Sequence, residues 1–495
     1  MPASWGLVTA EEIAAAVGAE RLTGPAAAVM SGIGTDTRTI RPGELFFALR
    51  GERFDGHDFI TTALERGAAG VVCETNLTGS TVPAGDRPVI AVRDTLRALG
   101  DMASWWRHEH AASVSVITGS AGKTTTKEMA AGVLELEGST LKSQGNFNNL
   151  VGLPLTLFGL EGEHRYVVLE MGMNLPGEIA RLTEIADPQV GLITNVARAH
   201  LEGLGDIRAV ARAKAELLDC MSPEGVAILN GDDALLMAEA SRFQGVLLTF
   251  GLGPSNDFRA ERVRDMGREG TSFMLVSEGG RIDVRLSVPG RQNVWNALAA
   301  SALAMKSGAS PENVARGLAA YRGIPGRFTV MDLPGGGILV DDTYNANPSS
   351  LKAALESLGG LAAGRGRIIV CLGDMLELGR EAVPAHLEAG RMAAEHGAEH
   401  ILAMGEQADH VIRGALDRGF PAGRAHRMRN HEEMADAILD MLEEGDLVLL
   451  KASRGMRFER VLERLCGTGR KGGRNGLDQA GPGGGRRTGH SPASL

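Results

Sequence analysis

The chain has 495 residues, too many for one hydrophobic core, and the usual size of a folding unit points to about three domains. Its hydrophobic share of 43% and charged share of 23% are those of a globular enzyme rather than a disordered chain. The net charge of -10 argues against nucleic acid as the main partner, and neither an export signal nor an apolar run of about 18 residues is present, so a cytoplasmic protein without membrane insertion is expected.

Residues 1–95 mix short strands and helices, with GELFFAL and GAAGVVCE as strands and a turn-prone RPG between TDTR and the first of them; a small α/β domain is predicted. The strand VSVIT (Val114 to Thr118) then runs into GSAGKTTTKEM and a long helical pattern. Strands and helices alternate from there across residues 96–322, the signature of a parallel sheet. After the breaker RGIPGR (Arg322 to Arg327), the strands ILVDD, RIIVCLGD, HILAMG and DLVLLKAS are each followed by helix-like sequence, predicting a second doubly wound α/β domain over 323–466. From Gly467 the composition turns to Gly and Arg, so residues 467–495 are expected to form a disordered, solvated tail, with a contact to an acidic partner or a membrane surface as the alternative. Cys73, Cys220, Cys371 and Cys466 are far apart and form no C-x-x-C pair, so they are expected to be reduced thiols.

The loop Gly119-Ser120-Ala121-Gly122-Lys123-Thr124 joins a β-branched strand to a helix, where backbone N–H groups and the helix N-terminus can hold phosphate oxygens. Lys123 would reach the outer phosphates and Thr124 a magnesium ion. Ile117 stands where the longer form of this motif has Gly, so the loop is the shorter T-G-x-x-G-K-T variety. Glu170 ends the strand RYVVLEMG and His200 follows VGLITNV, which would bring both to the carboxyl edge of the same sheet; magnesium ligation is one reading and a solvated or locally hydrogen-bonded side chain the other. Lys214 falls in the apolar stripe of DIRAVARAKAELLDC. Burial there favours the neutral amine, which can add carbon dioxide to give a metal-binding carbamate, and the alternative is a lysine that snorkels to the helix edge or pairs with a carboxylate. Asn293 and Asn296 lie one helical turn apart, able to read a base or to cap a helix. Arg327 is suited to a γ-phosphate and Asp342 to a ribose.

In this order, the stretches TDTRTIRPGELFFAL, GERFDGHDF, TGSAGKTTTKEM, GNFNNLVGLPLT, LEMGMNLPGEI, ITNVARAHLEGLG, ARAKAE, DDTYNANPSSLKAAL, LGDMLELG and LLKASRGMRFERV make the sequence resemble the Mur ligase family through nearly its whole length, to about residue 466. DDTYNANP and GNFNN resemble the branch that adds D-alanyl-D-alanine, whereas the branch adding the third residue typically carries a D-N-P-R motif that is not found here. The resemblance implies a three-domain α/β architecture: an N-terminal domain for the UDP end of a UDP-N-acetylmuramoyl-tripeptide, a central P-loop domain for ATP, and a Rossmann-like C-terminal domain that brings D-alanyl-D-alanine. It implies ATP and Mg2+, with Gly119 to Thr125 around the phosphates, Thr124, Glu170, His200 and carbamylated Lys214 around metal, and Lys123, Glu170, His200 and Lys214 in catalysis. Asn293 and Asn296 would contact adenine, Arg327 and Asp342 would complete the ATP site, and Thr37, Arg38, Asn148 and Asn149 would bind the substrate. Gln292 departs from the His usual in the family. A monomer is expected. The alternatives are another Mur ligase, a folylpolyglutamate synthetase, or a P-loop switch that ligates nothing.

Overall fold

The computed structural model describes residues 5–51, 53–75, 85–199, 201–362 and 366–467. They form three sheets in succession, of five, nine and six strands.

The first sheet contains β1 (Arg21–Thr23), β2 (Ile33–Gly34), β3 (Leu45–Phe47), β4 (Gly70–Glu74) and β5 (Val89–Val92) in the order β1-β5-β4-β3-β2. Only β1 runs antiparallel to its neighbour. Two short strands therefore precede GELFFAL, where the sequence reading had none; at two and three residues they are too short to show a period.

The second sheet contains β6 (Ser113–Thr118), β7 (Thr140–Lys142), β8 (Tyr166–Glu170), β9 (Val190–Ile193), β10 (Val226–Asn230), β11 (Val246–Gly251), β12 (Phe258–Asp265), β13 (Thr271–Ser277) and β14 (Gly280–Leu286). Its order is β14-β13-β12-β11-β10-β9-β6-β8-β7. From β7 to β12 the pairing is parallel. The expected parallel region is corrected at its far edge, where β12, β13 and β14 form an antiparallel meander. That edge leaves one face to water, hence the charges of FRAERVRD in β12, whereas the fully buried β8 reads YVVLE. Strand β6 lies between β8 and β9, so successive strands leave it in opposite directions and a crevice opens at its carboxyl end.

The helix Lys123–Leu134 fills that side of the sheet against the alanine-rich helix Gln292–Lys306, whose small side chains let the axes approach. The helix Pro311–Ala320 also packs closely there: a Cβ at Gly317 would stand 2.7 Å from the Cα of Val133.

The third sheet contains β15 (Thr329–Asp332), β16 (Ile338–Asp342), β17 (Ile368–Gly373), β18 (Ala398–Met404), β19 (Ala425–Met428) and β20 (Leu447–Lys451) in the order β15-β16-β20-β17-β18-β19. It is doubly wound and parallel apart from β15. Gly467, placed in the tail by composition, is the last residue of the helix Glu459–Gly467, and the remainder of the tail lies outside the described residues. Among the described residues, no helix is long and apolar enough to cross a membrane, and all four cysteines are free.

Candidate active site

The P-loop leaves β6 and is sewn to the segment that leaves β9. The amide of Ser120 donates to the Asn195 carbonyl (3.0 Å) and that of Ala121 to Asn195 Oδ1 (3.0 Å). Asn195 Nδ2 and Thr194 Oγ1 both donate to the Ala121 carbonyl (3.1 and 2.6 Å), and the Ala197 amide donates to Ser120 Oγ (2.9 Å). Gly119 has φ +144° and a Cβ there would collide with Thr194 Oγ1, so the tight junction needs glycine. The Ser120 and Ala121 amides are thus committed within the protein. Among the described residues, the donors left free are the amides of Gly122, Lys123, Thr124 and Thr125, at the first turn of a helix that carries no side-chain cap, which is where an anion binds.

Lys123 Nζ folds back onto the Gly119 carbonyl (2.9 Å). Burial lowers its pKa, Glu170 opposes that, and Arg327 adds to it. Glu170, only 3% exposed at the end of β8, accepts from Thr124 Oγ1 on one oxygen and from Asn148 Nδ2 on the other, both at 2.8 Å. Its amide donates to Ser143 Oγ (3.1 Å). Arg327, from the segment between the second and third sheets, donates through Nη2 to Thr124 Oγ1 (3.0 Å). One hydroxyl therefore joins the P-loop, the buried carboxylate and the cation from across the boundary.

Lys214 lies in the helix Ile207–Cys220, begun by Asp206 accepting from the Ala209 amide (2.8 Å). It is 1% exposed, so the snorkelling alternative is wrong. Burial, reinforced by the Lys123 charge, pushes its pKa well below that of an ordinary lysine, and among the described residues no carboxylate pairs with it. His200 lies outside the described residues. The described part gathers no group of three or more His, Cys, Asp or Glu side chains around a metal position. The hard oxygens of Thr124 and Glu170, held side by side, nevertheless suit magnesium, and a carbamate on Lys214 would add another of the same kind.

Asn293 and Asn296 sit in the first turns of the helix Gln292–Lys306, which has no side-chain cap, so the capping alternative is also wrong. Asn293 Nδ2 donates to the Pro289 carbonyl (2.7 Å) and Asn296 Nδ2 to Asn293 Oδ1 (3.1 Å), while Asn296 Oδ1 fills the space that a Cβ on Gly122 would need. The pair thus abuts the P-loop. Thr125 bonds Tyr321, at the end of the helix Pro311–Ala320. Asp342, at the carboxyl end of β16, pairs with the buried Lys451 (2.5 Å) and accepts the amide of Phe328 (3.2 Å), so its carboxylate shapes the segment after Arg327. Asn149 spends Oδ1 on the amides of Val151 and Gly152 (3.2 and 2.8 Å) at the start of the helix Gly152–Leu157. Thr37 and Arg38 lie in the turn after β2; the Thr37 carbonyl accepts from Arg66 (2.7 Å), and the exposed Arg38 is held by Asp36.

Sequence reasoning missed Thr194, Asn195, Ser143, Lys127 and Tyr344. The first two follow a strand already identified, and Lys127 occupies a buried position on its helix just as Lys214 does. Tyr344 lies inside the DDTYNANP motif, which gave it no role of its own, and nothing local marks Ser143.

A P-loop at the switch point of a parallel sheet, with a buried carboxylate and lysine beside it and an arginine from the segment that leads into a second doubly wound unit, defines an ATP-dependent ligase. The chain belongs to the Mur ligase family: residues 29–107 match the model "Mur ligase family, catalytic domain", 117–304 "Mur ligase middle domain" and 326–454 "Mur ligase, glutamate ligase domain". It is 36% identical over 440 residues to the UDP-N-acetylmuramoyl-tripeptide--D-alanyl-D-alanine ligase of Escherichia coli (strain K12), covering 88% of this chain and 94% of that one. Among solved structures it is similar to MurF from Acinetobacter baumannii, with TM-score 0.84, 30% identity and coverage of 94% and 99% of the two chains. It is also similar to the MurF ligase of Thermotoga maritima in complex with ADP, with TM-score 0.78, 29% identity and coverage of 89% and 98%.

Proposed function

We propose that this chain joins D-alanyl-D-alanine to UDP-N-acetylmuramoyl-tripeptide at the expense of ATP, in the cytoplasm and as a monomer, to make the peptidoglycan precursor. The observation that carries this reading is the Thr124 hydroxyl shared by Glu170 and Arg327 beside Lys123, which joins a phosphate loop to a second unit able to present an amine.

The tripeptide carboxylate attacks the γ-phosphorus of ATP in line, the bond to the β–γ bridging oxygen breaks, and ADP departs. The dipeptide amine then attacks the acyl phosphate carbonyl, phosphate leaves with its oxygen, and the amine loses a proton. No protein nucleophile is required, so the residues position and neutralise. The amides of Lys123, Thr124 and Thr125 and the Lys123 ammonium hold the outer phosphates, with Gly119, Ser120, Ala121 and Gly122 giving the loop its shape. Asn293 and Asn296 flank the adenine side, and Asp342 keeps the segment carrying Arg327 in place. Thr124, Glu170, His200 and Lys214 as a carbamate would hold magnesium, which offsets charge on the transferring phosphoryl group when bound. Asn148, already on Glu170, and Asn149 face the tripeptide, and Thr37 and Arg38 the UDP end. In this reading residues 1–95 bind the nucleotide-sugar, 96–322 carry ATP, and 323–466 deliver the dipeptide.

Phosphate release should depend on both a UDP-linked tripeptide and D-alanyl-D-alanine, with formation of the UDP-linked pentapeptide. Release from ATP without the amine or the tripeptide would favour a nucleotide switch, and ligation of glutamate to a folate would favour a folylpolyglutamate synthetase.

A further inference from the structure

We infer that Arg454 binds the terminal carboxylate of the incoming dipeptide and that Tyr344 sets its distance from Arg327. This rests on the ligation proposed above and deepens it by assigning the amine substrate's other end.

Tyr344 stands just beyond the carboxyl end of β16. The guanidinium carbon of Arg327 lies 3.8 Å from its ring centroid, and that of Arg454 lies 5.6 Å from the same centroid. An aromatic face attracts such cations and holds both close to one ring despite their like charge. The two guanidinium carbons are therefore under about 10 Å apart, whereas an extended dipeptide spans about 7 Å. Arg327 is tied to Thr124 in the P-loop, so one end of this span is where the acyl phosphate forms. A dipeptide whose amine reaches that end presents its carboxylate at the other, where Arg454 waits.

Arg454 is exposed and pairs with Glu459 at 3.3 Å, the two side chains being 62% and 34% exposed. A solvated pair of this kind contributes little and can yield to a ligand carboxylate that takes the planar guanidinium in two parallel hydrogen bonds. One exposed apolar side chain adjoins the backbone next to Arg454. Ser453 Oγ accepts the Leu376 amide (2.9 Å), and this draws Leu376, which is 45% exposed, against Gly455, where a Cβ would stand 2.8 Å from a Leu376 methyl. A carboxylate anchor beside an exposed leucine suits an amino acid with a small apolar side chain and a free C-terminus.

Steady-state ligation should be compared for D-alanyl-D-alanine and D-alanyl-D-alaninamide, which lacks the terminal charge. The wild-type enzyme should prefer the acid by tenfold or more in kcat/KM. In Arg454→Gln, KM for the dipeptide should rise about tenfold or more, KM for ATP should stay put, and the acid-to-amide preference should shrink toward one. Arg454→Lys, which keeps the charge but loses the fork, should retain part of the preference. Full preference in Arg454→Gln, or wild-type enzyme that uses the amide as well as the acid, would overturn the assignment while leaving the ligation itself standing. A wild-type enzyme that ligates neither would instead overturn the proposed function.

Discussion

Lys127 offers a test of how the buried carboxylate is held. It lies one turn beyond Lys123 and is 1% exposed; its ammonium donates to the Ser143 carbonyl (2.5 Å) and pairs with Glu128 (2.9 Å). Ser143 Oγ receives the Glu170 amide, and Asn148, farther along the same loop, holds Glu170 Oε1. Lys127→Met keeps most of the volume and removes the charge. Losing a hydrogen bond to a charged group costs about 1.5–3 kcal/mol. Glu128 keeps Lys142 (2.9 Å) as a partner, which places the loss near the lower end, about 2 kcal/mol. At about 2–4 °C per kcal/mol for a unit of this size, the melting transition should fall by about 4–8 °C. Calorimetry reads that shift. Ligation assayed well below the transition should also slow, by about tenfold if Glu170 loses about 1.4 kcal/mol of its positioning. An unchanged melting temperature would refute the buried anchor, and a lowered one with unchanged kcat would confine Lys127 to folding.

Lys214→Arg keeps a positive charge but cannot form a carbamate, so turnover should fall by orders of magnitude, as in Lys214→Ala; near-normal ligation by the Arg variant would return Lys214 to a packing role. Because its burial and the Lys123 charge favour the neutral amine, a carbamate resonance from labelled bicarbonate should appear in the wild-type enzyme and vanish in either variant. Gly119→Ala puts a Cβ onto Thr194 Oγ1 at φ +144° and should weaken ATP binding at least tenfold by calorimetry; an unaltered affinity would show that the loop relaxes without cost.

The sheets were legible in the sequence wherever a strand is buried on both faces: VSVIT, RYVVLEMG and DLVLLKAS hold near-continuous apolar runs, and the structure begins and ends their strands within two residues of the expected bounds. The antiparallel edge was misread because its strands still alternate with turns, and direction is set by pairing rather than by composition. Lys214 stood out because its helix has a clear apolar stripe. The same argument applies to Lys127, but the phosphate motif beside it accounts for a basic residue there and so hides that the side chain points inward. The Arg327–Thr124 contact joins residues 203 apart in sequence, and no local pattern carries it.

Gln292 shows how a departure from a family pattern becomes readable only in three dimensions. From sequence alone, a glutamine in place of the usual histidine puts adenine packing in question. In the structure its Oε1 accepts from Ser357 Oγ (2.7 Å), in the helix Pro348–Ala362 beside the third sheet, while its side chain packs on Gly290, whose φ of +98° turns the chain into the helix of Asn293 and Asn296. A glutamine amide presents an acceptor at any pH, whereas an imidazole loses its acceptor nitrogen on protonation. The Gln292–Ser357 contact between the second and third units therefore contains no group that titrates near neutrality. It lies one residue before Asn293, so the helix that abuts the P-loop also bonds the C-terminal unit.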